Sequence, residues 1–298
     1  MILQNPCFIK DEILLLGTRS SCMYLVQGEF YALLGGGVPW VVHQLETQLD
    51  QYHIDRSLIR YLVISHAHHD HCGAVPYLLK RYPHIEIVTS DYGADVLNMS
   101  KAVELIKTVN RQTLDKMKKP HWYNGIPLDF HPIPVSHRVS DGDCLDLGGG
   151  ITLQFYLTPG HSRCSLSTYI PGLRALFPAD ALPLPKDGGK FIITANHDYN
   201  DYIRSIKKLQ TLGVDLIGFE HGGMLSGADV ATVVPRSLAA TLQQRQRITE
   251  IYDKLHDLDR LIDEITEKYY TGEFFDMVPP AVLRAFMNRM VRSALGMV

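Results

Sequence analysis

Four side chains that commonly bind metals occur within six residues, in the order His-x-His-x-Asp-His. They belong to the run His66-Ala67-His68-His69-Asp70-His71. Imidazole ligates Zn, Fe, Cu and Ni, and a carboxylate also ligates Mn. The apolar segment Tyr61-Leu62-Val63-Ile64 precedes the run, so the ligands follow the end of a predicted strand, where functional loops are usually mounted. The pattern therefore predicts a metal site rather than a solvated loop that is merely rich in histidine.

The spacing divides these side chains between two neighbouring ions. Alternate side chains of an extended backbone share a face, so His66 and His68 can reach one ion. Asp70 and His71 then turn towards a second ion as the chain enters a helix after Gly73. Three further candidates each follow a short apolar segment and lie beside Gly, Pro or a small residue, as expected for ligands on loops: His161, Asp180 and His221.

These motifs together resemble the pattern of the metallo-β-lactamase-fold hydrolases. The resemblance uses the run from His66 to His71 and the later segments Thr158-Pro159-Gly160-His161-Ser162, Leu176-Phe177-Pro178-Ala179-Asp180 and Ile217-Gly218-Phe219-Glu220-His221-Gly222-Gly223. It implies an α/β fold, namely a four-layer αββα sandwich.

The resemblance also implies a ligand set for two divalent ions. One ion would take His66, His68 and His161, the other would take Asp70, His71 and His221, and Asp180 would bridge both. Zn, Fe and Mn all accept these ligands, so the identity of the metal stays open. A hydroxide held between the ions would attack the substrate, which makes Asp70 and Asp180 the candidate catalytic carboxylates.

The whole chain is similar to a narrower group, the quinolone-signal response protein and its thioesterase-like relatives. The matching segments are Asp70-His71-Cys72-Gly73, Pro76-Tyr77-Leu78, Asn110-Arg111-Gln112, His221-Gly222-Gly223 and Arg289-Met290. This similarity implies a small acyl-thioester substrate resembling acyl-CoA. Two alternatives stay open, since one fold hosts many chemistries: a phosphodiesterase or ribonuclease, and a non-enzymatic, metal-stabilised protein that signals through a partner.

The chain departs from the family pattern in one place. Family members usually carry an Asp after an early strand, whereas the segment Tyr31-Ala32-Leu33-Leu34-Gly35-Gly36-Gly37 has none. Loss of such an outer partner commonly costs about ten- to a hundredfold in metal affinity or activity. The resemblance therefore implies intact ligation but weaker catalysis. Asp180 stands where zinc β-lactamases use Cys, which together with Asp70 points away from antibiotic hydrolysis.

Composition is typical of a globular enzyme, with 46% hydrophobic and 20% charged residues. A net charge of −3 without an extended basic tract argues against non-specific nucleic-acid binding. The five cysteines, an odd number without paired spacing, predict reduced thiols and a cytoplasmic location. No apolar run reaches the length of about 18 residues that a membrane span needs. A homodimer or a protein partner stays open.

Two histidines near the predicted ligands have other interpretations. His69 and His197 could contact the substrate or deliver a proton, although a spacer role suits His69 better. Asp198 follows His197 directly before a predicted helix, where it could serve as the N-cap. Cys72 beside His71 is predicted to be a buried, inert thiol rather than a ligand.

Local patterns predict the remaining elements. Short strands are expected over 6–34, a helix over 41–52, a helical region over 91–117 and an irregular loop over 120–134. After Pro235 the sequence becomes helix-rich, with an apolar stripe at helical spacing that Thr271-Gly272 ends: Ile248, Ile251, Tyr252, Leu255, Leu258, Leu261, Ile262 and Ile265. Pro279-Pro280 opens a last helix.

We predict a metal-binding domain over 1–225 and a C-terminal helical extension over 226–298. That extension packs on the core and, in the sharper interpretation, forms a lid over the metal centre.

Overall fold

Two seven-stranded sheets with helices on their outer faces form the body of the chain in a computed structural model. The structure describes residues 2–117, 129–270, 275 and 278–297. The strands, in chain order, are β1 (Ile2–Leu3), β2 (Cys7–Lys10), β3 (Ile13–Thr18), β4 (Ser21–Gln27), β5 (Tyr31–Leu34), β6 (Ile59–Val63), β7 (Glu86–Ser90), β8 (His137–Val139), β9 (Cys144–Asp146), β10 (Thr152–Leu157), β11 (Leu166–Ile170), β12 (Ala175–Phe177), β13 (Leu184–Lys186), β14 (Lys190–Ile192), β15 (Leu216–Phe219) and β16 (Gly223–Ser226). The helices are α1 (Val42–Gln51), α2 (His69–Cys72), α3 (Val75–Arg81), α4 (Asp91–Val96), α5 (Ser100–Lys116), α6 (Tyr199–Leu209), α7 (Val230–Leu255), α8 (Leu258–Tyr269) and α9 (Pro280–Ala294).

The first sheet has the order β2-β3-β4-β5-β6-β7-β8, and the second has the order β1-β16-β15-β12-β11-β10-β9. Strands β5 to β8 run parallel to one another. In the second sheet β12 pairs parallel with β15, and β10 has the same direction because β11 lies antiparallel between β10 and β12. The carboxyl ends of β10, β12 and β15 therefore meet at one edge of the second sheet.

Side chains that alternate along the strands separate three apolar cores. On β3, Ile13 and Leu15 face the core between the sheets, whereas Leu14 and Leu16 face the core shared with α1, α3 and α5. The second sheet contributes Phe155 to the core between the sheets, and its outer face packs with α6, α7, α8 and α9. Strands buried on both faces appear in the sequence as continuous apolar runs. The predicted αββα arrangement is confirmed.

The C-terminal extension differs from the single stripe that the sequence suggested. Its helix breaks at His256, which adopts a left-handed conformation (φ 47°), and Asp257 then caps α8 by accepting a hydrogen bond from Arg260 N. The last helix begins at Pro280, as predicted. The proposed helix end at Thr271-Gly272 lies outside the described residues.

One other local prediction needs adjustment. The helical region 91–117 consists of α4 and α5 with a break at 97–99, and Ser90 caps α4 by accepting a hydrogen bond from Gly93 N. Most of the loop predicted over 120–134 lies outside the described residues. Within the described part of the chain, helices long and apolar enough to cross a membrane do not occur.

Candidate metal centre

The ligand-rich loop that follows β6 is fixed between the two sheets. Leu166 N, in the second sheet, donates a hydrogen bond to Ser65 O over 2.8 Å. His71 N donates to His68 O over 3.0 Å as α2 begins, and Gly36 N donates to His71 O over 2.9 Å. Contacts to both sheets therefore set the direction in which the loop presents its side chains.

A close backbone approach positions His161 after β10. Gly160 has φ +131°, and a Cβ at this position would lie 2.2 Å from Tyr202 N on α6. Only glycine permits this approach, because any side chain would push the loop off the helix. The loop carrying His161 is therefore docked on the amino-terminal half of α6.

The loops after β12 and β15 carry Asp180 and His221. Ala179, immediately before Asp180, is 1% exposed and has φ +49°, a left-handed conformation that is uncommon for a residue other than glycine. Such strained residues cluster at functional sites, where the surrounding structure enforces them. His221 lies at the same edge of the second sheet as Asp180.

The seven predicted ligands lie together in two groups of three, joined by Asp180. The first, called here the histidine group, consists of His66, His68 and His161. His68 Nδ1 lies 3.0 Å from His66 Nε2 and 2.9 Å from His161 Nε2. Three ring nitrogens therefore converge on one point.

The second group, called here the mixed group, consists of Asp70, His71 and His221. His71 Nε2 lies 3.1 Å from His221 Nε2, and Asp70 Oδ2 lies 3.6 Å and 3.5 Å from these two atoms. Asp180 Oδ2 lies between the groups, 3.2 Å from His161 Nε2 and 3.5 Å from His71 Nε2.

These separations fit the edges of a metal coordination shell. A tetrahedral ion with nitrogen ligands at about 2.0–2.1 Å places its ligand atoms about 3.3 Å apart. Asp180 Oδ1 is buried and has no hydrogen-bond partner among the described residues, which suits a carboxylate whose partner is a cation. The residues present therefore fit divalent metal ions.

The outer ring nitrogens of three candidate ligands also have partners. His161 Nδ1 donates to Thr194 O over 2.8 Å, His221 Nδ1 donates to Ser20 O over 2.7 Å, and His71 Nδ1 donates to Glu220 Oε2 over 2.7 Å. A proton held on Nδ1 leaves the lone pair of Nε2 free to face an ion. The outer bonds thus fix the tautomer that ligation requires.

Electrostatics keep both carboxylates ionised. Burial would raise the pKa of Asp180, but His161 and His71 hold it well below its usual value. Burial opposes ionisation of Asp70 in the same way, and His71 with His69 holds the pKa of that carboxyl well below its usual value. Both side chains are therefore available as anionic ligands at neutral pH.

A cavity of about 200 Å³ opens beside the histidine group. Its lining includes His68 and His161, and further polar side chains surround them: Tyr92, Ser162, Arg163, Asn196, His197 and Arg289. The guanidinium of Arg163 lies over the Tyr92 ring at 4.4 Å. Arg289 comes from α9, so the C-terminal extension contributes to the cavity.

The other sequence candidates have specific surroundings. His69 Nδ1 lies 2.9 Å from Asn110 Oδ1, and His197 lines the cavity while Asp198 is the N-cap of α6. Cys72 is buried, its Sγ donates to His68 O, and burial raises the pKa of its thiol well above the usual value. The structure pairs none of the five cysteines in a disulfide.

Sequence reasoning assigned no role to Glu220, Arg163 or Asn196. A signal for Glu220 was present in the sequence, because an acidic residue directly after an apolar segment is expected to be buried, and a buried acid needs a partner. Arg163 and Asn196 gave no comparable signal, because their place at the cavity depends on tertiary packing.

The chain belongs to the metallo-β-lactamase superfamily, since the family model described as "Metallo-beta-lactamase superfamily" matches residues 16–221. All seven candidate ligands lie inside this range. Family membership and the clustered His and Asp side chains support a metal-dependent hydrolase that binds divalent metal.

Curated relatives show the same family at low identity. The metallo-beta-lactamase fold-containing protein ST1585 of Sulfurisphaera tokodaii is 28% identical over 167 residues, which cover 56% of this chain and 61% of that protein. The beta-lactamase-like protein 2 homolog of Caenorhabditis elegans is 25% identical over 256 residues, covering 86% and 70%. The anaerobic nitric oxide reductase flavorubredoxin of Aliivibrio fischeri is 30% identical over 159 residues, but these cover only 26% of that protein.

Solved structures agree on the fold alone. The metallo-beta-lactamase family protein TTHA1429 from Thermus thermophilus superposes with a TM-score of 0.67 at 19% identity, covering 94% of this chain and 93% of that chain. The crystal structure of ST1585 gives a TM-score of 0.57 at 20% identity, with 93% of each chain covered.

Proposed function

We propose that the chain is a thioester hydrolase with two divalent ions that acts on an acyl-CoA-like substrate. The observation that carries the proposal is the cavity beside His68 and His161. Its described lining combines two arginines with no carboxylic acid. A cavity of this kind suits an anionic substrate whose leaving group needs little protonation.

The chemistry of the leaving group favours a thioester. A thiolate leaves without a strong proton donor, because an unperturbed thiol has a pKa of about 8.5, whereas an alkoxide needs acid assistance. Among the described lining residues outside the two ligand groups, His197 is the candidate proton donor. Asn196 Oδ1 is buried without a hydrogen-bond partner among the described residues, so it can accept a bond from a substrate amide.

The arginines favour an acyl carrier with phosphate groups. Arg163 and Arg289 are both exposed, and neither forms an ion pair with a described carboxylate. Guanidinium groups bind phosphate through paired, charge-assisted hydrogen bonds. Because Arg289 belongs to α9, we assign the extension over 226–298 a lid function in which it closes one side of the substrate cavity.

The metal-binding residues have separate tasks in this proposal. His66, His68 and His161 would hold the ion nearer the substrate, and Asp180 would link this ion to the mixed group. When bound, the ions supply Lewis acidity and bring the pKa of water towards neutrality. Asp70 and Asp180 are the catalytic carboxylates in the sense that they hold and neutralise these charges next to the reacting atoms.

Thiol release from a panel of acyl-CoA thioesters tests the proposal. Metal-loaded wild type and a His131→Ala variant, which alters an exposed histidine outside both groups, should release free thiol. Asp180→Ala should not. Matched oxoesters and a phosphodiester belong in the same panel. Metal-loaded protein that cleaves the phosphodiester but none of the thioesters would contradict the proposal.

A further inference from the structure

Glu220 carries a buried carboxylate to which the ligand assignment gives no role. It follows β15 and precedes the candidate ligand His221. Its side chain is 9% exposed, and its Oε2 accepts a hydrogen bond from His71 Nδ1 over 2.7 Å. Burying a carboxylate is costly unless it is paired and hydrogen-bonded, so the contact with His71 explains why the charge is tolerated.

The same carboxylate fills the space in front of Gly35, in the glycine run after β5. This run is the segment that lacks the acidic residue expected from the family pattern. A Cβ at Gly35 would lie 3.1 Å from Glu220 Oε2 and 3.3 Å from its Cδ, and Gly35 has φ +90°, which favours glycine. A side chain at position 35 and the carboxylate of Glu220 therefore compete for one space.

We infer that Glu220 is the positioning residue for His71. From the end of β15 in the second sheet, it supplies the carboxylate that the family pattern places in the glycine run after β5. The inference rests on the proposed role of His71 as a metal ligand. It also changes an expectation drawn from the sequence, because the outer support whose absence suggested weaker catalysis is present at another position.

Two hydrogen bonds from the first sheet hold the backbone at and beside Glu220. Cys22 N donates to Glu220 O over 2.8 Å, and Tyr24 Oη donates to Phe219 O over 2.6 Å. Both donors belong to β4 of the first sheet. The dipeptide Glu220-His221 thus provides one candidate ligand and, through the preceding side chain, orients the neighbouring ligand.

The expected effect is confined to the mixed group. A carboxylate that accepts the Nδ1 proton orients the ring and increases the basicity of Nε2. His161 and His221 have backbone carbonyls in the corresponding place. Loss of the Glu220 charge should therefore weaken the ion held by Asp70, His71 and His221, and leave the ion of the histidine group unchanged.

Metal titration of Glu220→Gln tests the inference without a substrate. Competition with a chelator for Zn²⁺ should show that one of the two ions, the one assigned to the mixed group, is released about ten- to a hundredfold more readily than in wild type. The absorption spectrum of Co²⁺ in the mixed group should change as well. Glu46→Gln is the matched control, because Glu46 is a partly buried acid that accepts a hydrogen bond from Tyr82 away from the centre.

Glu220→Asp keeps the charge on a shorter side chain and should recover part of the lost affinity. If Glu220→Gln does not fold, the metal affinity of Glu220→Asp is compared with that of wild type instead. Folded Glu220→Gln with wild-type affinity and an unchanged Co²⁺ spectrum would overturn the inference. Absence of thioester turnover would not overturn it, because the titration measures the binding of metal alone.

Discussion

The two ligand groups are neighbours, but they differ in charge and access. The histidine group offers neutral rings: burial and the adjacent His71 lower the pKa of His66 well below its usual value, and burial with His161 lowers the pKa of His68 to about 3. In the mixed group burial also acts against protonation, but Asp70 and Asp180 raise the pKa of His71 well above its usual value.

This difference shows how one centre can divide its tasks. Carboxylates that favour a proton on His71 would equally favour a metal cation in its place, so the mixed group suits a tightly held ion. The histidine group contributes His68 and His161 to the cavity, whereas the described lining includes no member of the mixed group. We therefore expect the histidine group to face the substrate and the mixed group to anchor the second ion.

Substitution of Asp180 should weaken metal binding by both groups, because this side chain lies between them. Asp180→Asn keeps the shape of the side chain but removes its charge. The affinity for both ions should fall by more than about a hundredfold, because loss of a direct ligand should cost more than loss of an outer partner. The measurement is metal content per chain after equilibrium dialysis. Two tightly bound ions in a folded variant would show that Asp180 does not bridge.

Two single-ligand variants should separate the groups. His161→Ala should lose the ion beside the cavity and keep the ion of the mixed group, whereas His221→Ala should show the opposite pattern. Each variant should retain about one ion per chain, since the group that is not altered keeps all of its ligands. The same dialysis measures this, and His131→Ala again serves as the control. Loss of both ions in both variants would mean that the groups act as one inseparable site.

The sequence allowed prediction of the ligands but not of their supports, and the reason is distance along the chain. His66 to His71 are contiguous, and the three later ligands each follow a strand, so local pattern and family resemblance were sufficient. The bond between His71 and Glu220 joins residues 149 positions apart and crosses from one sheet to the other. No local periodicity records such a contact.

The C-terminal extension shows a similar limit. The apolar stripe correctly indicated helices, because its side chains share a core with the second sheet. It did not indicate the break at His256, where one left-handed residue redirects the chain. Nor did it indicate that Arg289 on α9 reaches the cavity, which depends on how three helices pack together.

The smallest predicted effect concerns Arg289, which lines the cavity beside the histidine group. Arg289→Ala should raise KM for an acyl-CoA about fivefold and leave kcat unchanged, because an exposed ion pair contributes up to about 1 kcal/mol. The metal content should stay at the wild-type level. High salt should reduce the difference from wild type, since exposed charges are screened. Arg247→Ala is a matched control, because Arg247 lies on α7 in an exposed pair with Glu250 and outside the cavity lining. A fall in kcat with unchanged KM would place Arg289 in the chemical step instead of in substrate binding, and the proposed division between the two groups would need revision.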